Sequence, residues 1–187
     1  MIHKVCVKNK HILIIAGMAC FWFFSAADLY AKNNPAEEQY SKRVSESAAD
    51  FPVYLYFADN MNQYLLGEER PGLGADDPDI FCRQIIDALI QGPFSGLTRT
   101  IPASTEIRAI YIDDKIAYVD LSREVSVSHP GGVLSELMTI YSIVNTLVLN
   151  VDGVNQVKIL IAGQETETLS GHIDIRFPLN ADMLLIR

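Results

Sequence analysis

Past residue 27 the chain carries two histidines, His129 and His172. Imidazole is the side chain whose ordinary pKa lets it exchange a proton near neutrality. Either ring, working with a carboxylate such as Asp120, has the chemistry of a small extracytoplasmic hydrolase. The spacing does not favour a ready-made site: the histidines stand 43 residues apart, and neither sits in an HxxxH-type ligand pair. His172 follows Gly171 and is expected to order the C-terminal turn by hydrogen bonds. Cys82 falls on an apolar helical stripe, where a thiol acts as a small hydrophobe with little thiolate. Asp76, Asp77 and Asp79 lack the alternating oxygen ligands and closing Glu of a calcium loop, and Asp77 suits a helix cap. Ser95, in Gly92-Pro93-Phe94-Ser95-Gly96, is out of register for a GxSxG elbow and reads as a turn. Gly72-Leu73-Gly74 has neither the Lys nor the strand–helix setting of a phosphate loop. Asn145 lies on the apolar stripe of a long helix. A buried amide left unpaired costs about 1–3 kcal/mol, so it is expected to bond backbone across the sheet or in a crossing loop, with a ligand contact as the alternative. The set predicts no catalytic residue, no cofactor and no metal, and leaves Asn145, Asp120 and His172 as candidate ligand-binding residues.

The elements that must position these groups are legible from periodicity. Pro52–Ala58 is rich in aromatic and β-branched residues and predicts a strand. Gln63–Glu68 predicts a short partner strand. Asp77, Pro78 and the face Cys82, Ile85, Ile86, Leu89 predict a helix that Gly92-Pro93 ends. Thr105–Ile112 and Lys115–Ser122 predict a hairpin turning at Asp113-Asp114. Its second strand turns Ala117, Val119 and Leu121 to the core and Tyr118 and Asp120 away. Gly131–Asn150 predicts the longest helix, with Leu134, Leu137, Met138, Tyr141, Val144 and Val148 as its apolar stripe. Val157–Ala162 is a buried strand, Glu165–Leu169 a small extra one, and Ile173–Arg187 packs back. The order β-α-β-β-α-β predicts an α+β two-layer sandwich with two helices on one face of the sheet.

Composition places this domain outside the cytoplasm. Residues 1–10 carry Lys4, Lys8 and Lys10 and no acid, and His11–Ala27 holds 17 residues without a charge. A basic start, an apolar run and small residues at Ser25-Ala26-Ala27 form a signal-peptide pattern over residues 1–27. Two alternatives stay open: a lipobox at Gly17–Cys20 that lipidates Cys20, and an uncleaved anchor that ties the chain to the membrane. Removing residues 1–27 takes three Lys and no acid and leaves 12 basic against 23 acidic residues. That charge argues against a nucleic-acid partner. Residues 28–50 form a polar linker, and residues 51–187 one domain large enough for its own core. If Cys20 leaves with the leader, Cys82 is the remaining cysteine, and the fold has no intrachain disulfide to lean on.

VYLYFAD at 53–59, ALIQGP at 88–93, IP at 101–102, AYVDLS at 117–122, ELMTIYSIVNTLV at 136–148, VKILIAG at 157–163 and GHIDIRFPL at 171–179 together resemble the GerMN domain of spore germination and sporulation envelope proteins. Ser104 and Ala162-Gly163 depart from residues common in that family. The resemblance implies an α+β domain similar to the ring-building motifs of secretion and sporulation complexes. It also implies export, frequent membrane attachment and a binding role without known catalysis. The expected role is a scaffold or binding domain of the bacterial envelope, whose partner is another envelope protein or a wall-derived ligand, with self-association left open. The alternatives are the small hydrolase above and a ligand-sensing domain.

Overall fold

The computed structural model describes residues 52–187. The leader, the polar linker, and the choice among cleavage at Ala27, lipidation at Cys20 and an intact anchor lie outside the described residues. The α+β class is as expected, and the elements run β1 (Val53–Ala58), β2 (Leu65–Arg70), α1 (Pro78–Gln91), β3 (Ile107–Asp113), β4 (Ile116–Leu121), α2 (Glu124–Val127), α3 (Val133–Asn150), β5 (Gln156–Ile161) and β6 (Leu179–Asn180).

The strands divide into two sheets. β1 and β2 form an antiparallel hairpin, while β3-β4-β5-β6 form a four-stranded sheet whose central β4/β5 pair is parallel. The parallel pair needs a crossover, and α2 with α3 supply it. The β3–β4 turn places Asp114 at φ +43° and Lys115 at φ +64°, two successive left-handed residues as a type I′ hairpin requires.

α1 starts where the sequence signals place it. Asp77 caps it, its Oδ1 accepting from the N–H of Asp79 at 2.9 Å and of Ile80 at 3.3 Å, with Pro78 following. Gly92 ends it at φ +90°, a backbone conformation that favours glycine, and the Arg99 guanidinium packs against its Cα face. Arg99 donates to the carbonyls of Ile90 and Gln91, placing a cation at the negative end of the helix. Cys82, Ile85, Ile86 and Leu89 enter one continuous core with Leu55, Phe57, Val119, Ile143, Leu147 and Ile159.

Three local expectations are corrected. Glu165–Leu169 makes no strand, only an isolated bridge between Thr168 and Asp174. A short helix, α2, follows β4 and had no sequence signal of its own. The apolar stripe assigned to α3 is rotated: Leu134 is half exposed, and the buried face holds Ile140, Ile143, Val144 and Leu147 together with Glu136, Thr139, Ser142, Asn145 and Thr146. α3 is apolar on most of its circumference, so hydrophobicity alone does not orient it. Its polar residues decide, because they have backbone partners inside the domain.

Candidate functional site

Those partners make α3 the organising element. Along the side facing the β1–β2 hairpin, Ser142, Thr146 and Asn150 recur one turn apart and close the edge of β1. Ser142 Oγ donates to the Tyr56 carbonyl at 2.6 Å, and Thr146 Oγ1 accepts the Tyr56 N–H at 3.1 Å. The Asn150 amide accepts the Tyr54 N–H at 3.0 Å and donates to the Tyr54 carbonyl at 2.9 Å. An edge strand must have its polar groups paired or covered. Here helix side chains substitute for a neighbouring strand.

Asn145 does the same for the C-terminal segment. Its Nδ2 donates to the Asp182 carbonyl and its Oδ1 accepts the Asp182 N–H, each at 2.9 Å. The amide is thus spent on backbone of a crossing segment.

Glu136, which the sequence reading passed over, is the most heavily used polar group. Its side chain is fully buried. It accepts the N–H of Leu169 at 3.1 Å, of Ser170 at 2.7 Å and of His172 at 2.9 Å, and the His172 ring Nδ1 at 2.9 Å. Burial pushes the carboxyl up, but the converging N–H donors and the imidazole outweigh it and hold the pKa below the usual value. A signal existed: Glu136, Thr139, Ser142, Thr146 and Asn150 repeat at three- and four-residue spacing, a polar stripe as periodic as an apolar one.

His129 stands nearby in a neutral form. Its Nδ1 accepts the Gly131 N–H at 3.0 Å, so its Nε2 carries the proton toward Thr139 Oγ1 at 3.0 Å. Thr139 in turn donates to the Thr100 carbonyl at 2.5 Å. Burial lowers the His129 pKa, with the nearby Glu136 charge opposing and His172 adding to the fall. The structure therefore brings His172 and His129 to the same carboxylate region.

Asp120 is bound elsewhere. It accepts from Arg108 Nε at 3.1 Å and from the Gly163 N–H at 2.8 Å, fixing the turn after β5, in which Ala162 and Gly163 both have positive φ. No hydrogen bond joins it to either imidazole among the described residues; the carboxylate that meets His172 is Glu136. Cys82 is buried, and desolvation followed by the Asp79 charge pushes its thiol up to about 12. Tyr118 stacks on Tyr111 across the β3–β4 pair with ring centroids 4.8 Å apart. Among the described residues no group of three or more His, Cys, Asp or Glu side chains could hold a metal ion.

The Gly92–Gly96 loop has a support of its own. Glu68 accepts the N–H groups of Phe94 and Ser95. Burial raises its pKa, but the Ser95 hydroxyl, those two N–H groups and Arg70 bring it down to about 2. The buried Arg70 bonds Glu68 and the Gly92 carbonyl, and its guanidinium lies 3.5 Å from the centroid of the Phe94 ring. Ser95 is thus part of a pinned turn.

The comparisons agree with this architecture. No curated protein sequence matches the chain. Among solved structures, a "Putative Lipoprotein from Clostridium perfringens" is 29% identical, with a TM-score of 0.53 over 71% of this chain and 88% of the other. The first GerMN domain of the sporulation protein GerM from Bacillus subtilis matches with a TM-score of 0.55 at 20% identity, over 72% of this chain and 98% of that one. The tandem GerMN domains of the same protein match with a TM-score of 0.54 at 21% identity over 71% of this chain, which spans 45% of theirs. These last two likenesses establish the fold. The family model described as Germane, sporulation and spore germination, matches residues 54–167. It bears out the resemblance carried by the VDLS, YSIVNTL and VKILIAG segments, and the chain belongs to the Germane (GerMN-like) family.

Proposed function

We propose that this protein is an exported, non-catalytic binding and scaffold domain of the bacterial cell envelope, held at the outer face of the cytoplasmic membrane. The observation that carries the reading is the use made of α3. Glu136, Ser142, Asn145, Thr146 and Asn150 each hold backbone of another segment by hydrogen bonds. A side chain bonded to its own scaffold stabilises one arrangement of loops and is not poised for turnover. The leader pattern supports export, and family membership supports a role among sporulation and germination envelope proteins. The "Putative Lipoprotein" neighbour supports membrane attachment. The partner is another envelope protein or a wall-derived ligand. Cross-linking in intact cells, followed by pull-down of the full chain, tests this. Recovery of one specific assembly is expected, and recovery of background alone would count against it.

One observation favours a second reading, a small hydrolase. The Glu136 carboxylate orients the His172 ring through Nδ1 while the ring stays 39% exposed, the geometry of a base with its orienting acid. Hydrolysis of ester or amide probes that disappears in His172→Gln would establish it. Equal rates in both proteins would remove it.

A further inference from the structure

Two cavities open side by side where the β2–α1 loop meets the end of α3. One, of about 670 Å³, has apolar walls from Leu73, Phe81, Leu149 and Val151. The other, of about 740 Å³, is bordered by Asp76, Asp77, Asp79 and Asp152, with Lys115 as its one cation among the described residues. Asp76, Pro78 and Asp152 belong to both, so the two form a single trough, apolar at one end and acidic at the other.

The acids are not equivalent. Asp77 caps α1, and Asp79 Oδ1 accepts the Ile112 N–H at 3.0 Å. Asp76 and Asp152, which border both cavities, make no hydrogen bond or ion pair among the described residues. The backbone beside the trough is closed to strand addition, because Asn150 already occupies both polar groups of Tyr54. Recognition there must run through side chains. The trough is partly open to solvent and chemically distinct at its two ends. It suits an extended segment that lays one side chain in each end.

We infer that this trough docks a peptide segment of a partner envelope protein in which an apolar side chain lies next to a Lys or Arg. The apolar side chain fills the end lined by Leu73, Phe81 and Leu149. The cation pairs with Asp76 and Asp152, two carboxylates that have no such partner among the described residues. Its charge raises the encounter rate and selects the partner, while the apolar contact supplies most of the binding free energy.

The inference rests on the binding-module reading and is tested separately from it. The full chain, purified in detergent, is passed over an array of capped octapeptides whose two central positions carry every pairing of Phe, Leu, Ser, Gln, Lys, Arg and Glu. Retention of apolar–cationic pairs is expected. Raised salt, or the double variant Asp76→Asn with Asp152→Asn, should weaken it by about tenfold or more, and Leu149→Ser should weaken it without removing the salt dependence. Circular dichroism of each variant establishes that the fold is kept. Retention of no peptide, of acidic or purely apolar pairs, or of the same pairs by the double variant would overturn the inference. So would concentration-dependent dimerisation lost in Leu149→Ser, which would assign the trough to a second copy. A specific envelope assembly cross-linked through another face would leave the binding-module reading standing without the trough.

Discussion

Glu136 Oε2 lies 2.9 Å from both the backbone nitrogen and the ring Nδ1 of His172, 36 residues further along the chain. One buried oxygen therefore fixes both where the chain passes and how the imidazole is turned. With Oε1 bonded to Leu169 and Ser170, the carboxylate ties the segment after β5 to the middle of the domain.

Replacing Glu136 by Gln removes the charge and sets an NH2 group against N–H donors. The expected loss is about 3 kcal/mol or more, as for breaking a buried charged network. Urea denaturation gives the loss. Hydrogen exchange of the Leu169, Ser170 and His172 amides should accelerate beyond the global change, and unchanged exchange there would refute the anchoring role.

Asn145→Ala strands the N–H and carbonyl of Asp182. A loss of about 1–3 kcal/mol is expected, with exchange increasing first around Asp182, while Arg187 N–H and Ile186 still hold the end of that segment to Leu65. Uniform exchange across the whole domain would show that the segment does not depend on Asn145.

Glu68 and Glu136 have carboxyls held below their ordinary values, Glu68 at about 2. A depressed folded pKa contributes stability that is fully present above the unfolded value of about 4.5 and is lost as pH falls through the folded one. Denaturation midpoints should therefore fall steadily from about pH 4.5 toward 2, and the fall should be shallower in Glu68→Gln.

His129 behaves alike in direction for a different reason. Protonating Nδ1 breaks the bond from the Gly131 N–H, and burial already lowers the pKa. Stability should be complete above about pH 6.5 and decline as pH falls through the lowered value. NMR titration of the His129 ring checks this, and a pKa at or above the ordinary imidazole value of 6.5 would contradict the assignment.

Cys82, with its thiol pushed up to about 12, should resist iodoacetamide in the folded protein at pH 8 and react once urea unfolds it. Cys82→Ala should cost about 1–2 kcal/mol, as for a small cavity. Rapid labelling of the native protein would show that the α1 face is open.

How far the sequence reached is clear from particular residues. Asp77-Pro78 and Gly92-Pro93 announced both ends of α1, because caps are local chemistry. The β3–β4 hairpin was legible, while its turn moved by one residue to Asp114-Lys115. The rotation of α3 was not legible, since a helix apolar on most sides offers several equally hydrophobic faces. Glu136 was invisible as a buried group for a related reason: an acid near a helix start normally means solvent and dipole.

The amino-acid order by itself determined the two long helices, the strands β1 to β5, the family and the leader pattern, all of which rest on interactions within a few residues or on motif identity. The tertiary structure alone decided that the strands divide into two sheets, that Asn150 and Thr146 stand in for a strand beside β1, and that Glu136 rather than Asp120 meets His172. Those pairings join groups 36 to 96 residues apart. A buried donor or acceptor must find a partner somewhere, but which one it finds depends on the packing of the whole chain.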